Sequence, residues 1–495
     1  MVPKTRIRTL VDRAPNLDAD FVLYWMIANR RLNWNFSLDR AVEWCRELRK
    51  PLLVLEPLRL GYRWASDRLH QFVLAGMGWN QAEAKRAGIA YHPYVERTKN
   101  EGKGLLETLS ARAAVVVTDD FPCFFLPRMQ QAACAQVSVR FEAVDSNGLL
   151  PMRSTDKVYP SAYAFRRFLQ KELPEHLASF PMECPLQTSK APLAMKLPAE
   201  LLNRWPRAEA TLLNGTAASL AALPIDHAVG PAPFKGGTGA AREHLSTFLD
   251  LGLPRYRDDR NQPEARVTSG LSPYLHFGHI SVHEIFSRLR ETEAWHPRHL
   301  SDKSNGHREG WWGMSPASES FLDELVTWRE LGFNFCSKRD DYDRYESLPD
   351  WARQTLDEHQ VDRRKYVYSL EDFEDGQTHD ELWNAAQNEL RNEGRIHNYL
   401  RMLWGKKILE WTASPRDALE VMIELNNKYA VDGRDPNSYS GIFWVLGRYD
   451  RPWGPERPIF GKIRYMSSEN TARKVRVDAY VARHGHGNAS LFDLE

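Results

Sequence analysis

The sequence predicts an α/β half followed by an all-α half. Three observations carry that reading. Short β-rich apolar runs alternate with amphipathic stretches up to about residue 150. From about residue 231 the strand signals nearly vanish. Apolar residues there recur at helical spacing instead.

In chain order, residues 21–28, 51–58, 89–95, 113–118 and 137–144 read as strands, with helices at 38–49 and 67–86 between them. Strand, helix, strand at this spacing builds a parallel sheet with helices on both faces. Residues 151–230 are rich in Pro, Ala and Leu, hold weak helical pieces, and read as a connector wrapped on the surface. Helices are expected at 240–251, 281–293, 320–335, 379–392, 396–411 and 415–428. Residues 340–380 are acidic and polar and read as a loop-rich excursion. The expected domains are therefore 1–150, a connector 151–230, a helical domain 231–480 and a flexible tail 481–495.

A chain of 495 residues is long enough to bury sizeable cores in two or three domains. Its net charge of +1 is no global basic signature, so any contact with nucleic acid must come from a local patch. The five Cys are odd in number and form no C-x-x-C pair. That argues against a disulfide framework and for a reducing, cytoplasmic setting. No apolar run approaches the length of a membrane span. The run at 21–28 is short, follows a mixed-charge segment, and reads as a strand rather than a signal peptide. Sixteen Trp are many. They suit stacking surfaces, a buried aromatic cofactor or electron relays as well as a core.

The most informative helix is 396–411, I-H-N-Y-L-R-M-L-W-G-K-K-I-L-E-W. Trp404 and Trp411 are seven apart and share a face two turns along. Arg401 lies about one turn before Trp404, and Trp383 on the preceding helix can pack against this one. Such a set can pass electrons between a buried cofactor and the surface, or simply fill the core. On 321–335, Glu324 and Trp328 stand at i and i+4 and share a face. A carboxylate beside an indole can hydrogen-bond a base edge while the ring packs against it.

Thr268, Ser269 and Ser272 in T-S-G-L-S-P-Y-L precede a helix, where hydroxyls and free N–H groups suit a phosphate. D-G-R-D-P-N at 432–437 is a turn by composition and gathers two carboxylates, an Arg and an Asn. Residues 448–476 carry eight basic side chains against three acidic ones, interleaved with Trp453, Phe460 and Tyr465. That patch suits a phosphate backbone beside an aromatic platform. His276, His279 and His283 have helical spacing without an evident fourth ligand and read as core or surface His rather than a metal site. G-G-T-G at 236–239 lacks the Lys-Ser/Thr of a phosphate loop and reads as a loop. His484 and His486 lie in a Gly-containing tail expected to be disordered.

Five segments then agree in order: S-x-L-S-P-Y-L-H-F-G, L-W-N-A-A-Q, Y-L-R-M-x-W-G-K-K-I-L-E-W, D-G-R-D-P-N-x-Y and E-R-P-x-F-G-K-I-R-Y-M. Together they resemble the class II cyclobutane pyrimidine dimer photolyases of the photolyase/cryptochrome family. The resemblance is strong over 235–474 and looser, through architecture, over the first half. It implies a Rossmann-like α/β antenna domain followed by an all-α domain that binds FAD. Tyr256, Thr268, Ser269, Gly270, Leu271 and Ser272 would hold the phosphate region. Arg401 and Asp432 would pair beside the isoalloxazine, with Arg434 among the cofactor contacts. Asn426 and Asn437 would meet its reactive edge. Trp404, Trp411 and Trp383 would relay electrons when the oxidised flavin is photoreduced.

The same resemblance implies UV-damaged DNA as partner and a monomeric enzyme. The lesion would be flipped out of the duplex, photolyases being a standard example of base-flipping enzymes. Glu324 would hydrogen-bond the damaged bases. Trp328 and Trp444 would flank the dimer, and Asn398, Tyr399 and Met402 would line its pocket. Photoexcited FADH⁻ would give the dimer an electron. A deazaflavin-type antenna chromophore is expected in the first domain.

Three positions depart from the family pattern: Leu403 stands where Tyr is expected, Ser438 for Gly, and Tyr449 for His. Arg448 puts a charge beside Tyr449, and a Trp-rich insertion, 291–316, carries Trp295, Trp311 and Trp312. Rival readings are a cryptochrome-like blue-light sensor, a non-enzymatic DNA-binding module, and a photolyase with altered lesion preference. The retained Glu324, Trp328, Met402 and Trp444 favour repair, as does the short stretch expected after Lys474.

Overall fold

Six strands form one sheet, in the order β1-β6-β5-β2-β3-β4, in the computed structural model, which describes residues 1–188 and 195–485. The strands are β1 (Ile7–Val11), β2 (Phe21–Trp25), β3 (Leu52–Leu58), β4 (Ala90–Val95), β5 (Ala113–Asp119) and β6 (Arg140–Val144). Every pair is parallel except β1 with β6. β2 and β5 are buried along their whole length. Their near-continuous apolar runs are what a sheet covered on both faces requires. β1 is absent from the sequence reading. Its I-R-T-L-V run is short, half-exposed and at the sheet edge, so it carries little apolar signal.

The chain leaves β2 for β3 and β4, then returns to β5 on the other side. The carboxyl ends of β2, β3 and β5 therefore surround a topological switch point, where open α/β sheets bind ligands. Asp119 ends β5 there. Its carboxylate accepts from the Tyr24 hydroxyl at 2.7 Å and from the backbone N–H groups of Ile27, Ala28 and Asn29 at 2.8, 2.8 and 3.0 Å. That single buried acceptor fixes the loop after β2.

Two compact units emerge, and they differ from the expected boundaries. The first is Met1–Asp156, Leu169–Thr247 and Gly270–Asp302; the second is Lys157–Phe168, Phe248–Ser269 and Lys303–Glu495. Residues 231–247 and 270–302, expected in the helical domain, belong to the first unit. The cause is packing. Tyr274 and His279 set their rings 5.2 and 5.1 Å from Phe72. Gly278 lies so close to residues 28–30 that a Cβ would stand 2.1 Å from the Ala28 carbonyl oxygen. Residues 157–168 cross from the expected connector to the second unit. There Asn334 accepts from the Tyr159 N–H at 3.2 Å and donates to the Lys157 carbonyl at 2.9 Å. The connector also holds a 15-residue helix, Ala162–His176, stronger than the weak pieces expected.

The second unit is helical. The stretch expected as one helix at 320–335 is Pro316–Leu322, a wide π-type turn Asp323–Trp328, and Arg329–Lys338. Such turns shift side chains relative to a regular helix and recur at functional sites. The D-P-N turn signal proves to be a helix start. Asp435 caps Pro436–Val445 by accepting from the Asn437 N–H at 2.9 Å, with Pro436 at the first helical position. This helix packs tightly on Arg329–Lys338. A Cβ on Gly332 would stand 2.8 Å from the Pro436 carbonyl oxygen.

The tail is ordered further than expected. The Asp478–His484 helix is held by Asn388 donating to the His484 carbonyl at 2.9 Å and by Tyr480 donating to Glu389 at 2.6 Å. His484 is buried. His486 and the rest of the expected tail lie outside the described residues. Among the described residues no helix is long and apolar enough to cross a membrane.

Candidate active site

The wide turn puts Glu324 and Trp328 at the two half-buried positions among buried neighbours. Glu324 Oε1 accepts from Arg260 Nη1 at 2.5 Å. Arg260 also lies 5.8 Å from the centroid of the Tyr256 ring. Tyr256 is wedged edge-on between Phe248 and Phe321, at 5.6 and 5.7 Å. Its hydroxyl pKa is raised by burial and by Glu324. Burial pushes the Glu324 carboxyl above its usual range; Arg260 opposes the shift without cancelling it, and Asp323 adds to it. A third of the Glu324 side chain stays accessible. The desolvation therefore reflects the depth of the site rather than closure over the carboxylate.

Arg260 is a functional candidate that pattern reading missed. It closes R-Y-R-D-D-R, a string of charges in which nothing but burial and pairing singles it out. Tyr256, expected near a phosphate, stands beside Arg260 and close enough to Glu324 to feel its charge.

Trp328 meets Tyr449 edge-on at 6.4 Å. The Tyr449 departure therefore lies against Trp328, whereas Leu403 is 1% exposed in the core. The expected pocket residues cluster on one side of the Asn398–Trp411 helix. Asn398 is exposed, and Tyr399, Arg401 and Met402 are half-buried, while Leu400, Leu403 and Trp404 are buried. His397, at the N-cap of that helix, is pulled down to about 4 by burial, so it stays neutral.

Arg401 reaches Asp432 at 3.2 Å, as expected. Arg401 Nε is buried with no partner among the described residues. Asn426 donates its Nδ2 to Ser438 Oγ at 2.7 Å and to Asn427 Oδ1 at 3.2 Å. Arg434 is turned elsewhere. It is 2% exposed, and its guanidinium donates to the carbonyls of Asn427, Ala430 and Val431. It therefore seals the end of the Pro415–Tyr429 helix. Asn437 is exposed at the start of the Pro436–Val445 helix.

The three Trp come together. Trp383 stacks on Trp404 with centroids 6.5 Å apart and planes 3° apart, and meets Trp411 at 5.9 Å. Trp383 Nε1 donates to the Trp404 carbonyl at 3.0 Å, and Trp404 Nε1 to Gln387 Oε1 at 2.9 Å. Trp411 continues to the exposed His379 at 4.9 Å and to Tyr368 at 5.7 Å. The order is Trp404, Trp383, Trp411 and then the surface.

Trp444 is half-buried between Lys406 Nζ at 5.0 Å and Arg464 Cζ at 5.7 Å. Burial pulls Lys406 down to about 7. Arg464 pairs with Asp450 at 2.8 Å and stacks 4.2 Å from Trp453. The basic patch loses Arg448, which is buried against Phe335 at 4.0 Å and donates to the Ser347 carbonyl. Residues 268–272 straddle the division between units: Thr268 and Ser269 fall in the second, Gly270, Leu271 and Ser272 in the first. Leu271 is buried, Thr268 and Ser272 exposed. The Ser272–His276 helix is one short turn, and Gly270 takes φ +63.

The chain is 35% identical over 484 residues to a deoxyribodipyrimidine photo-lyase of Methanothermobacter thermautotrophicus, covering 98% of each. It is 33% identical to one of Arabidopsis thaliana, over 93% of this chain and 88% of that protein. A bacterial class III photolyase from Agrobacterium tumefaciens shares the fold at TM-score 0.67 and 19% identity, over 96% of this chain and 87% of the other. No family model matches.

Proposed function

The chain belongs to the deoxyribodipyrimidine photo-lyase family, and from that premise we propose that it repairs cyclobutane pyrimidine dimers in DNA with FAD as its flavin. It is a light-driven DNA repair enzyme. The observation that carries the reading in this chain is the Asn398–Trp411 helix. It presents Arg401 to Asp432 at one end and Trp404 to the Trp383 stack in its middle.

The residues present fit a flavin. Among the described residues Arg401 Nε is a buried donor without a partner. Buried polar groups left this way call for a ligand that satisfies them. Arg401, Asp432 and Asn426 would hold the ring system. When bound, reduced FAD supplies an electron on absorbing blue or near-UV light.

The chain's own groups do the rest. Trp328 and Trp444 flank the flipped dimer, and Asn398, Tyr399 and Met402 line its pocket. Glu324, biased toward protonation by burial, donates to a base carbonyl as negative charge develops there. Arg260 holds that carboxyl in place. A sensor that only photoreduces has no use for the Glu324–Arg260 pair. Illumination of the reduced protein with dimer-containing DNA should restore free thymines. Bound reduced flavin without any repair would move the assignment to a blue-light sensor.

Removing Arg401 tests the flavin site. Arg401→Ala is expected to weaken FAD binding roughly tenfold to a hundredfold, the worth of one or two charge-assisted hydrogen bonds. Flavin content after gel filtration reads the effect, and unchanged retention would place the ring elsewhere.

For the antenna, the switch point of the first unit offers a planar site. Tyr62 and Trp64 follow β3, and Phe124 and Phe125 follow β5. Trp64 and Phe124 stack at 6.0 Å, both held at positive φ, +70 and +61. Such strained backbone in bulky residues marks functional positions. A deazaflavin added to the protein is expected to sensitise repair at wavelengths it absorbs. A Trp64→Ala variant that keeps full sensitisation would exclude this site.

A further inference from the structure

On the reading that Asn426 faces the flavin, we infer that Ser438 is a positioning residue. With Asn427 it locks the Asn426 amide so that Oδ1 is presented to the cofactor and Nδ2 is withheld.

The orientation follows from donors that have no choice. The Arg434 backbone N–H points at Asn427 at 2.8 Å, and a backbone N–H only donates. The atom it meets must be Asn427 Oδ1, which leaves Asn427 Nδ2 for the Tyr439 hydroxyl at 3.2 Å. Asn426 approaches the same Asn427 Oδ1 at 3.2 Å, so it must do so with its amide nitrogen. The second proton of that nitrogen goes to Ser438 Oγ at 2.7 Å. Both Nδ2 protons are thereby used inside the protein. A flipped amide would set two carbonyl oxygens against each other.

Little water competes: Asn426 is 2% and Ser438 7% exposed. The family pattern carries Gly at 438, which has no hydroxyl. The second Nδ2 proton would then lie unsatisfied, and the amide would tilt to recover a partner. An acceptor held rigidly at a flavin edge favours a ring nitrogen that carries a proton over one that does not. Flavin reduction at neutral pH brings a proton to the ring. Ser438 therefore biases the site toward the reduced, repair-competent cofactor.

The test is the midpoint potential of the flavin-loaded protein at fixed pH, in Ser438→Ala, Asn426→Ala and the double variant. The inference expects the potential to fall in both single variants, and to fall no further in the double variant than in Asn426→Ala. A shift in Asn426→Ala with none in Ser438→Ala overturns the role of Ser438 and leaves Asn426 at the flavin. No shift in either, with flavin bound, overturns both. Should Ser438→Ala fail to fold, Ser438→Gly removes the same hydroxyl and is read in the same way.

Discussion

Trp383→Phe is expected to abolish light-driven reduction of the bound oxidised flavin while leaving dimer repair by chemically reduced enzyme intact. Trp383 is the middle ring. It stacks flat on Trp404 and touches Trp411 edge-on. Trp404 and Trp411 lie on one helix and are about 10 Å apart along its axis at 1.5 Å per residue. Without an oxidisable ring between them, an electron from the surface side must cross that gap in one step. Phenylalanine fills most of the space but is far harder to oxidise. The fold should survive, because the lost bond to the Trp404 carbonyl is worth about 1 kcal/mol. Absorbance of the flavin under blue light with an external reductant measures the effect. Undiminished photoreduction would mean that the electron enters by another route. Repair is spared because the relay primes the cofactor and takes no part in splitting the dimer.

The alignment of Trp404 with Trp411 was legible in the sequence because helical spacing fixes which side chains share a face. Trp404 and Trp411 had to align, and Arg401 had to lie a turn away from Trp404. Pairings across elements were less legible. Arg401 with Asp432 came from the resemblance and not from periodicity. Arg260 escaped both, because an arginine among charges carries no pattern. Composition told half the story at 432–437, where residues 432–434 do form a turn. D-G-R-D-P-N looked like a surface turn, yet Asp435 and Pro436 are the cap and first position of a helix. Arg434, which the resemblance put among the cofactor contacts, donates to helix-end carbonyls that no pattern foretells.

The α/β half was read from apolar runs alone. Its β1 edge strand and the attachment of 270–302 were not, because both depend on contacts distant in sequence. His279 stacking on Phe72 is invisible until the chain is folded.

The larger chemical effect rests on Glu324. Glu324→Ala is expected to slow dimer splitting on the order of 10²-fold, the usual cost of deleting one preorganised donor at a site of developing charge. The protonated carboxyl is the form that donates, and its pKa is raised above the usual carboxylate value. Repair yield should therefore be flat at low pH and fall as pH rises through that raised pKa. Glu324→Gln keeps a donor at every pH but has no proton to share. It should lower the yield less than Glu324→Ala and remove that fall altogether. Arg260 supplies the sign test. Its positive charge lowers the Glu324 pKa, so Arg260→Ala should move the fall to higher pH even as the carboxyl loses its anchor. A purely structural role for Arg260 predicts a uniform loss at all pH values instead. If Glu324→Gln keeps the wild-type pH profile, the titrating group is not Glu324 and its donation to the lesion fails. A profile that shifts in Arg260→Ala and flattens in Glu324→Gln ties the pair to the substrate rather than to the fold.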